Sequence, residues 1–159
     1  MTLAARSREY SQRIALRRPE ETQALLAVWV ASWRATYADI AFEARCPWLL
    51  DHLAELEAQG ARTLCLWEDA PPFLAGFVTI DPKTGWLDQL CVHPERFGAG
   101  VAEALIAAAR EHAPERVRLD VNADNFRALR FYERQGFVRM GEGAPSKSGR
   151  PTLVLEWRA

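Results

Sequence analysis

The spacing of apolar positions changes along the chain, and each change marks an element. Residues 14–18 read as a short first strand. Pro19, Glu20 and Glu21 suit a first helical turn. From there Leu25, Trp29 and Trp33 recur every fourth residue, and Leu26, Val30 and Tyr37 widen the same face. This predicts a helix ending near Asp39. A second helix over 47–59 is stopped by Gly60. Residues 63–67, 73–80 and 86–92 then read as strands. They are separated by Pro71-Pro72 and by Asp81-Pro82-Lys83-Thr84-Gly85, and they predict an antiparallel meander.

The second half alternates. An alanine-rich helix over 101–112 places Val101, Leu105, Ala108 and His112 on one face. A buried-type strand over 116–121 follows, then a helix over 125–135. Strands over 137–141 and 152–157 close the chain, separated by a loop rich in Gly, Ser and Pro. The reading is an α/β fold of three layers, with one mixed, mostly antiparallel central sheet and helices on both faces. The strand–helix–strand over 86–121 should be a right-handed parallel crossover. Residues 1–12 read as a flexible arm and 13–159 as a single domain.

Composition narrows the function classes. A formal net charge of −1 provides no broad basic field, so nucleic acid is not an expected partner. Arg6, Arg8, Arg13, Arg17 and Arg18 crowd the start, but the polar residues among them make a solvated arm. The longest apolar run, 24–31, is too short to span a bilayer, and no membrane association is expected. The start carries no apolar signal-peptide core. Cys46, Cys65 and Cys91 are odd in number and widely spaced, as reduced residues of a cytoplasmic protein would be. No CxxC occurs, and His52, His93 and His112 lack ligand spacing, so no metal is expected.

The chemistry concentrates between Leu87 and Ala102. A strand runs into His93-Pro94, then Gly98-Ala99-Gly100, then a helix. A helix start leaves backbone N–H groups unpaired and carries partial positive charge. Glycines let a phosphate approach the backbone, and small Val101 and Ala102 keep the approach open. This is an anion site suited to a pyrophosphate. A P-loop would need Lys and a hydroxyl after Gly100, and neither is present. A dinucleotide fingerprint would need a third glycine where Glu103 stands.

A second motif lies one strand later. Asn125, Ala128, Phe131, Tyr132, Gly136 and Phe137 fit N-x-x-A-x-x-F-Y-x-x-x-G-F. With Gly98 and Gly100 fitting Q/R-x-x-G-x-G/A, the segment 86–141 resembles the GCN5-related N-acetyltransferase (GNAT) superfamily. Glu95 departs from the first motif, standing where Gln or Arg is usual, and Phe97 replaces a common polar residue.

The resemblance implies an acetyl-CoA-dependent N-acyltransferase that moves an acyl group to a primary amine by direct attack. The sheet would be splayed in the middle. Leu90, Cys91 and Val92 would lie along the pantetheine arm, and the amides of Phe97, Gly98, Ala99, Gly100, Val101 and Ala102 would hold the pyrophosphate. Asn125 would contact the cofactor arm, or cap its helix, or do both. Tyr132 would protonate the departing thiolate, unless its hydroxyl is bonded to backbone. The Val92 amide would donate to the oxyanion. Asp88 is the candidate base, and His93, a weaker candidate, reads more simply as a turn residue. Arg127 and Arg130 would reach the ribose phosphate or stay solvated. Trp33, Tyr37 and Trp48 would line the acceptor site or simply pack. The partner would be a small-molecule or peptide amine. Members are often homodimers, and an exposed sheet edge would suit such pairing. The competing reading is a non-catalytic acyl-CoA-binding module.

Overall fold

A computed structural model describes residues 11–159. The first ten residues, which carry most of the expected arm, lie outside the described residues. In chain order the elements are β1 (Gln12–Leu16), α1 (Thr22–Thr36), α2 (Cys46–Ala58), β2 (Arg62–Asp69), β3 (Pro72–Ile80) and β4 (Leu87–Val92). Then come α3 (Val101–His112), β5 (Arg116–Asn122), α4 (Phe126–Arg134), β6 (Val138–Glu142) and β7 (Thr152–Arg158). Short 3-10 turns precede α1 and α2.

The strands form two blades. β1-β2-β3-β4 is antiparallel throughout, and β5-β7-β6 is a second antiparallel set. The blades meet where Trp86 bridges Arg118 in parallel and the Arg118 N–H donates to the Gly85 carbonyl at 2.8 Å. Beyond that point β4 and β5 are not paired, so the expected splay falls between them.

Each face of this sheet has its own core. On one, α3 and α4 pack Val101, Leu105, Ile106, Leu129 and Tyr132 against Leu64, Val78, Ile80, Leu119 and Leu155. On the other, α1 and α2 pack Leu25, Val28, Trp29, Leu49 and Leu53 against Cys65, Phe77 and Cys91. The helix stripes bury Leu25 and Trp29 on α1 and Val101, Leu105 and Ala108 on α3, β5 alternates buried and open positions, and β2 and β3 are buried on both sides.

The edges of elements moved for tertiary reasons. α1 ends at Thr36, not near Asp39, because Tyr37 leaves helical dihedrals (φ −133°, ψ 82°) and donates its hydroxyl to Asp124 Oδ1 at 2.6 Å. β1 starts earlier than its apolar pattern suggested, since pairing with β2 extends to Gln12 opposite Glu68. Ile14 and Leu16 stay exposed on this edge strand.

Candidate active site

The β3–β4 ladder contains a bulge. Thr79 pairs with Gln89 and Ile80 with Leu87, which leaves Asp88 as an extra residue. The bulge turns Asp88 and Gln89 to the same side of the sheet, beneath α1 and α2. Asp88 Oδ2 lies 2.7 Å from His52 Nε2 and accepts from Gln89 Nε2 at 3.1 Å. Trp29 Nε1 donates to Gln89 Oε1 at 3.3 Å. The His52 ring stacks on Trp48, with centroids 4.8 Å apart.

Past the bulge the ladder sets the backbone of β4. The His93 N–H donates to the Ala75 carbonyl at 2.8 Å. By antiparallel alternation the polar groups of Cys91 then turn to Phe77, while those of Leu90 and Val92 turn toward the open splay. Cys91 itself is buried in the core beneath α1, and burial pushes its thiol well above the usual range. Neither its side chain nor its backbone faces the splay.

Two cavities fill the space between the blades. The first, about 300 Å3, is lined by Leu90, Val92, Phe97, Gly98, Gly100, Val101, Ala102, Asn125, Phe131 and Tyr132, among others. Ala99 and Arg130 do not line it; Arg127 and Arg134 do. Gly98 (φ +76°) and Gly100 (φ +88°) adopt left-handed backbone that disfavours other residues, and a Cβ at either would meet nothing within 4 Å. The space beside these amides is thus free for a ligand rather than filled by packing. The Arg127 guanidinium lies 3.7 Å from the Phe97 ring centre, so this aromatic replacement holds a cation at the cavity wall.

The second cavity, about 360 Å3, is bounded by Trp33, Tyr37, Trp48, His52, Asp88, Gln89 and Asp120, with residues 145–148 along its rim. Trp33, Leu90, Asn125, Ala128 and Tyr132 line both cavities and therefore mark where they meet. Asn125 accepts from the Ala128 N–H at 3.3 Å, capping α4 at this junction. Tyr132 is buried with its ring edge-on to Phe131 and Phe137. Among the described residues its hydroxyl has no hydrogen-bond partner. Burial first, then the nearby Cys91 and Asp120, raise it above the usual phenol range and keep it protonated.

Asp120 was not singled out from sequence, although the alternation of Arg116, Arg118 and Asp120 with buried Val117, Leu119 and Val121 carried the signal. It stands at a position that solvent reaches. The cleft walls nonetheless exclude enough water to raise its carboxyl above the usual range, and the charge of Asp88 raises it further. His52, also missed, comes from α2 and is identified only by the bulge opposite it. His93 lines neither cavity; its Nδ1 accepts from the Glu95 N–H at 3.1 Å, as a turn residue. Tyr37 lines the second cavity, but its hydroxyl is committed to Asp124, and Arg150 lies over its ring at 4.2 Å. Among the described residues no group of three or more His, Cys, Asp or Glu could hold a metal ion. Nor is any described helix long and apolar enough to cross a membrane.

Comparison with known proteins agrees with this geometry. The model of the acetyltransferase (GNAT) family matches residues 22–137. Mycothiol acetyltransferase of Kineococcus radiotolerans is 35% identical over 130 residues; the match covers 77% of this chain but only 42% of that longer protein. Peptidyl-lysine N-acetyltransferase YjaB of Escherichia coli is 29% identical over 138 residues, covering 87% of this chain and 90% of YjaB. The solution structure of apo YjaB superposes with a TM-score of 0.68 at 27% identity, covering 92% of this chain and 95% of that one. The fold is also that of PaiA N-acetyltransferase from Thermoplasma acidophilum, solved with coenzyme A (TM-score 0.75, 20% identity, 94% and 99% covered).

Proposed function

Since the chain belongs to the GNAT family of acetyltransferases, we propose that it binds acetyl-CoA in the smaller cavity and transfers the acetyl group to a primary amine held in the larger one. The observation that carries this reading is the junction of the two cavities at Tyr132, whose protonated hydroxyl has no partner among the described residues.

The residues present suit the cofactor. The amides following Gly98 and Gly100 stand beside open space at the start of α3, where partial positive charge favours a pyrophosphate. The outward backbone of Leu90 and Val92 can pair with an amide-bearing arm as a neighbouring strand would. Bound acetyl-CoA supplies the acetyl group as a thioester.

The chain's own residues do the rest. The amine must lose a proton to attack, and Asp88 and Asp120 border the larger cavity as acceptors for it. A carboxyl raised by burial and by a like charge binds that proton more readily than an ordinary one. The Val92 N–H is a donor for the oxyanion. Tyr132 returns a proton to the leaving sulfur. No covalent bond to the enzyme is needed. The 29%-identical relative YjaB is named for peptidyl-lysine, which is consistent with an amine acceptor here.

The test is calorimetric titration with acetyl-CoA, using NADH and ATP as controls, followed by an amine screen read by thiol release. Saturable binding of acetyl-CoA alone with amine-dependent thiol release is expected. Binding without release from any amine would favour the non-catalytic acyl-CoA module.

A further inference from the structure

The larger cavity has unmatched charge of opposite sign on different walls. On the side of β4 and β5, near Tyr132, Asp120 has no cationic partner among the described residues, and Asp88 has only His52. From the turn before α2 and the loop before β7, Arg45 and Lys147 line this cavity but not the smaller one, without a carboxylate partner among the described residues. Arg45 Nη1 donates to Ser148 Oγ at 3.0 Å, and its guanidinium lies 5.5 Å from the Phe42 ring centre. Lys147 Nζ lies 4.6 Å from the Trp48 ring centre. The contrast with neighbouring cations is informative: Arg34 pairs with Glu43 at 2.8 Å and Arg150 with Asp124 at 2.8 Å. Neutralised pairs are the local habit, and the cations facing the cavity are the exceptions.

Between the two charged walls stand aromatic rings. Asp88 contacts His52 at 2.7 Å, His52 stacks on Trp48 at 4.8 Å, and Lys147 caps Trp48. A ligand bridging the walls therefore needs an apolar spacer longer than the single carbon of an α-amino acid. Resting on the acetyl-transfer reading of this cavity, we propose that the acceptor is a zwitterion: a primary amine joined through an apolar spacer to a carboxylate, as in an ω-amino acid. The amine takes the Asp88–Asp120 end, where transfer occurs. The carboxylate takes Arg45 and Lys147, and the spacer lies along Trp48 and His52. Charges of matching order align the substrate and reject an amine reversed end for end.

Three amines of one length separate this inference from its premise: 6-aminohexanoate, hexylamine and 1,6-diaminohexane, each assayed for kcat/KM with acetyl-CoA. The expected order is 6-aminohexanoate first, about tenfold over hexylamine for two partly screened ion pairs, with the diamine last. Arg45→Glu with Lys147→Glu should reverse the order and place the diamine first. If that double variant does not fold, the order in the unmodified protein stands as the test. Hexylamine used as well as 6-aminohexanoate, or no turnover of any of the three while acetyl-CoA binds, would overturn the zwitterion and leave the cofactor site intact. Failure to bind acetyl-CoA would overturn the transfer reading itself.

Discussion

The two cavities are built from different materials. The smaller one is floored by one short stretch of chain, the outward edge of β4, the Gly98–Gly100 turn and the first turn of α3, with side chains of α1 and α4 closing its other sides. The larger one is made of side chains from α1, α2, β4, β5 and the loop before β7, brought together only by the fold. A backbone site tolerates many side chains but no change in chain path. A side-chain site can be rewritten residue by residue over the same path. On the proposed reading, the donor would then depend on the chain path and the acceptor on individual side chains.

The sharpest way to break this comparison is to fill the backbone site. Gly100→Glu places a side chain and a negative charge where a phosphate would lie, at a left-handed position that favours glycine. A Cβ there meets no protein atom within 4 Å, so the fold should survive. The expected outcome is undetectable acetyl-CoA binding by calorimetry with an unchanged far-ultraviolet circular dichroism spectrum. Retained affinity would remove the turn from the site.

The same contrast governs what could be read from sequence. Gly98, Gly100, Asn125 and Tyr132 sit in two contiguous motifs, so the family resemblance those motifs carry implied a donor site. Asp88 could be picked out only as a polar residue on a central strand. Its partnership with His52 depends on a bulge that apolar alternation does not show, since Asp88 and Gln89 turn to one side only because the register slips. Asp120 was legible in principle from the alternation of β5, but that alternation does not say that β5 faces β4 across a gap; the splay was expected only from the family resemblance. The helices and strands followed their periods, whereas their ends followed tertiary bonds. Tyr37 shows this, because its helical spacing lost to the hydrogen bond with Asp124.

A smaller effect is expected at the junction. Tyr132→Phe removes one hydroxyl with no partner among the described residues and leaves the ring packing against Phe131 and Phe137. Acetyl-CoA affinity and thermal stability should barely change, while kcat falls about 100-fold, the low end for loss of a general acid. An unchanged kcat on an accepted amine would make Tyr132 a core residue that merely borders both cavities.

The smallest effect expected is a displacement along the pH axis, and it tests whether the carboxylates of the larger cavity act together. Asp120 is raised above the ordinary carboxylate range, mostly by burial and in part by the charge of Asp88. As the base it works only when deprotonated, so activity should fall as pH drops through its raised pKa. Asp88→Asn removes the like charge but not the burial. The Asp120 pKa should then move down toward the ordinary value without reaching it, and the acidic limb of the kcat/KM profile should shift to lower pH. The rate on its plateau should drop as well, by about tenfold, because a stronger acid is a weaker base and His52 loses its carboxylate partner. Asp120→Asn should instead abolish that limb. An acidic limb that moves up in Asp88→Asn would mean that the titrating group gained its proton affinity from elsewhere. A limb that persists in Asp120→Asn and vanishes in Asp88→Asn would assign the base to Asp88, on the bulge, where the sequence first suggested it.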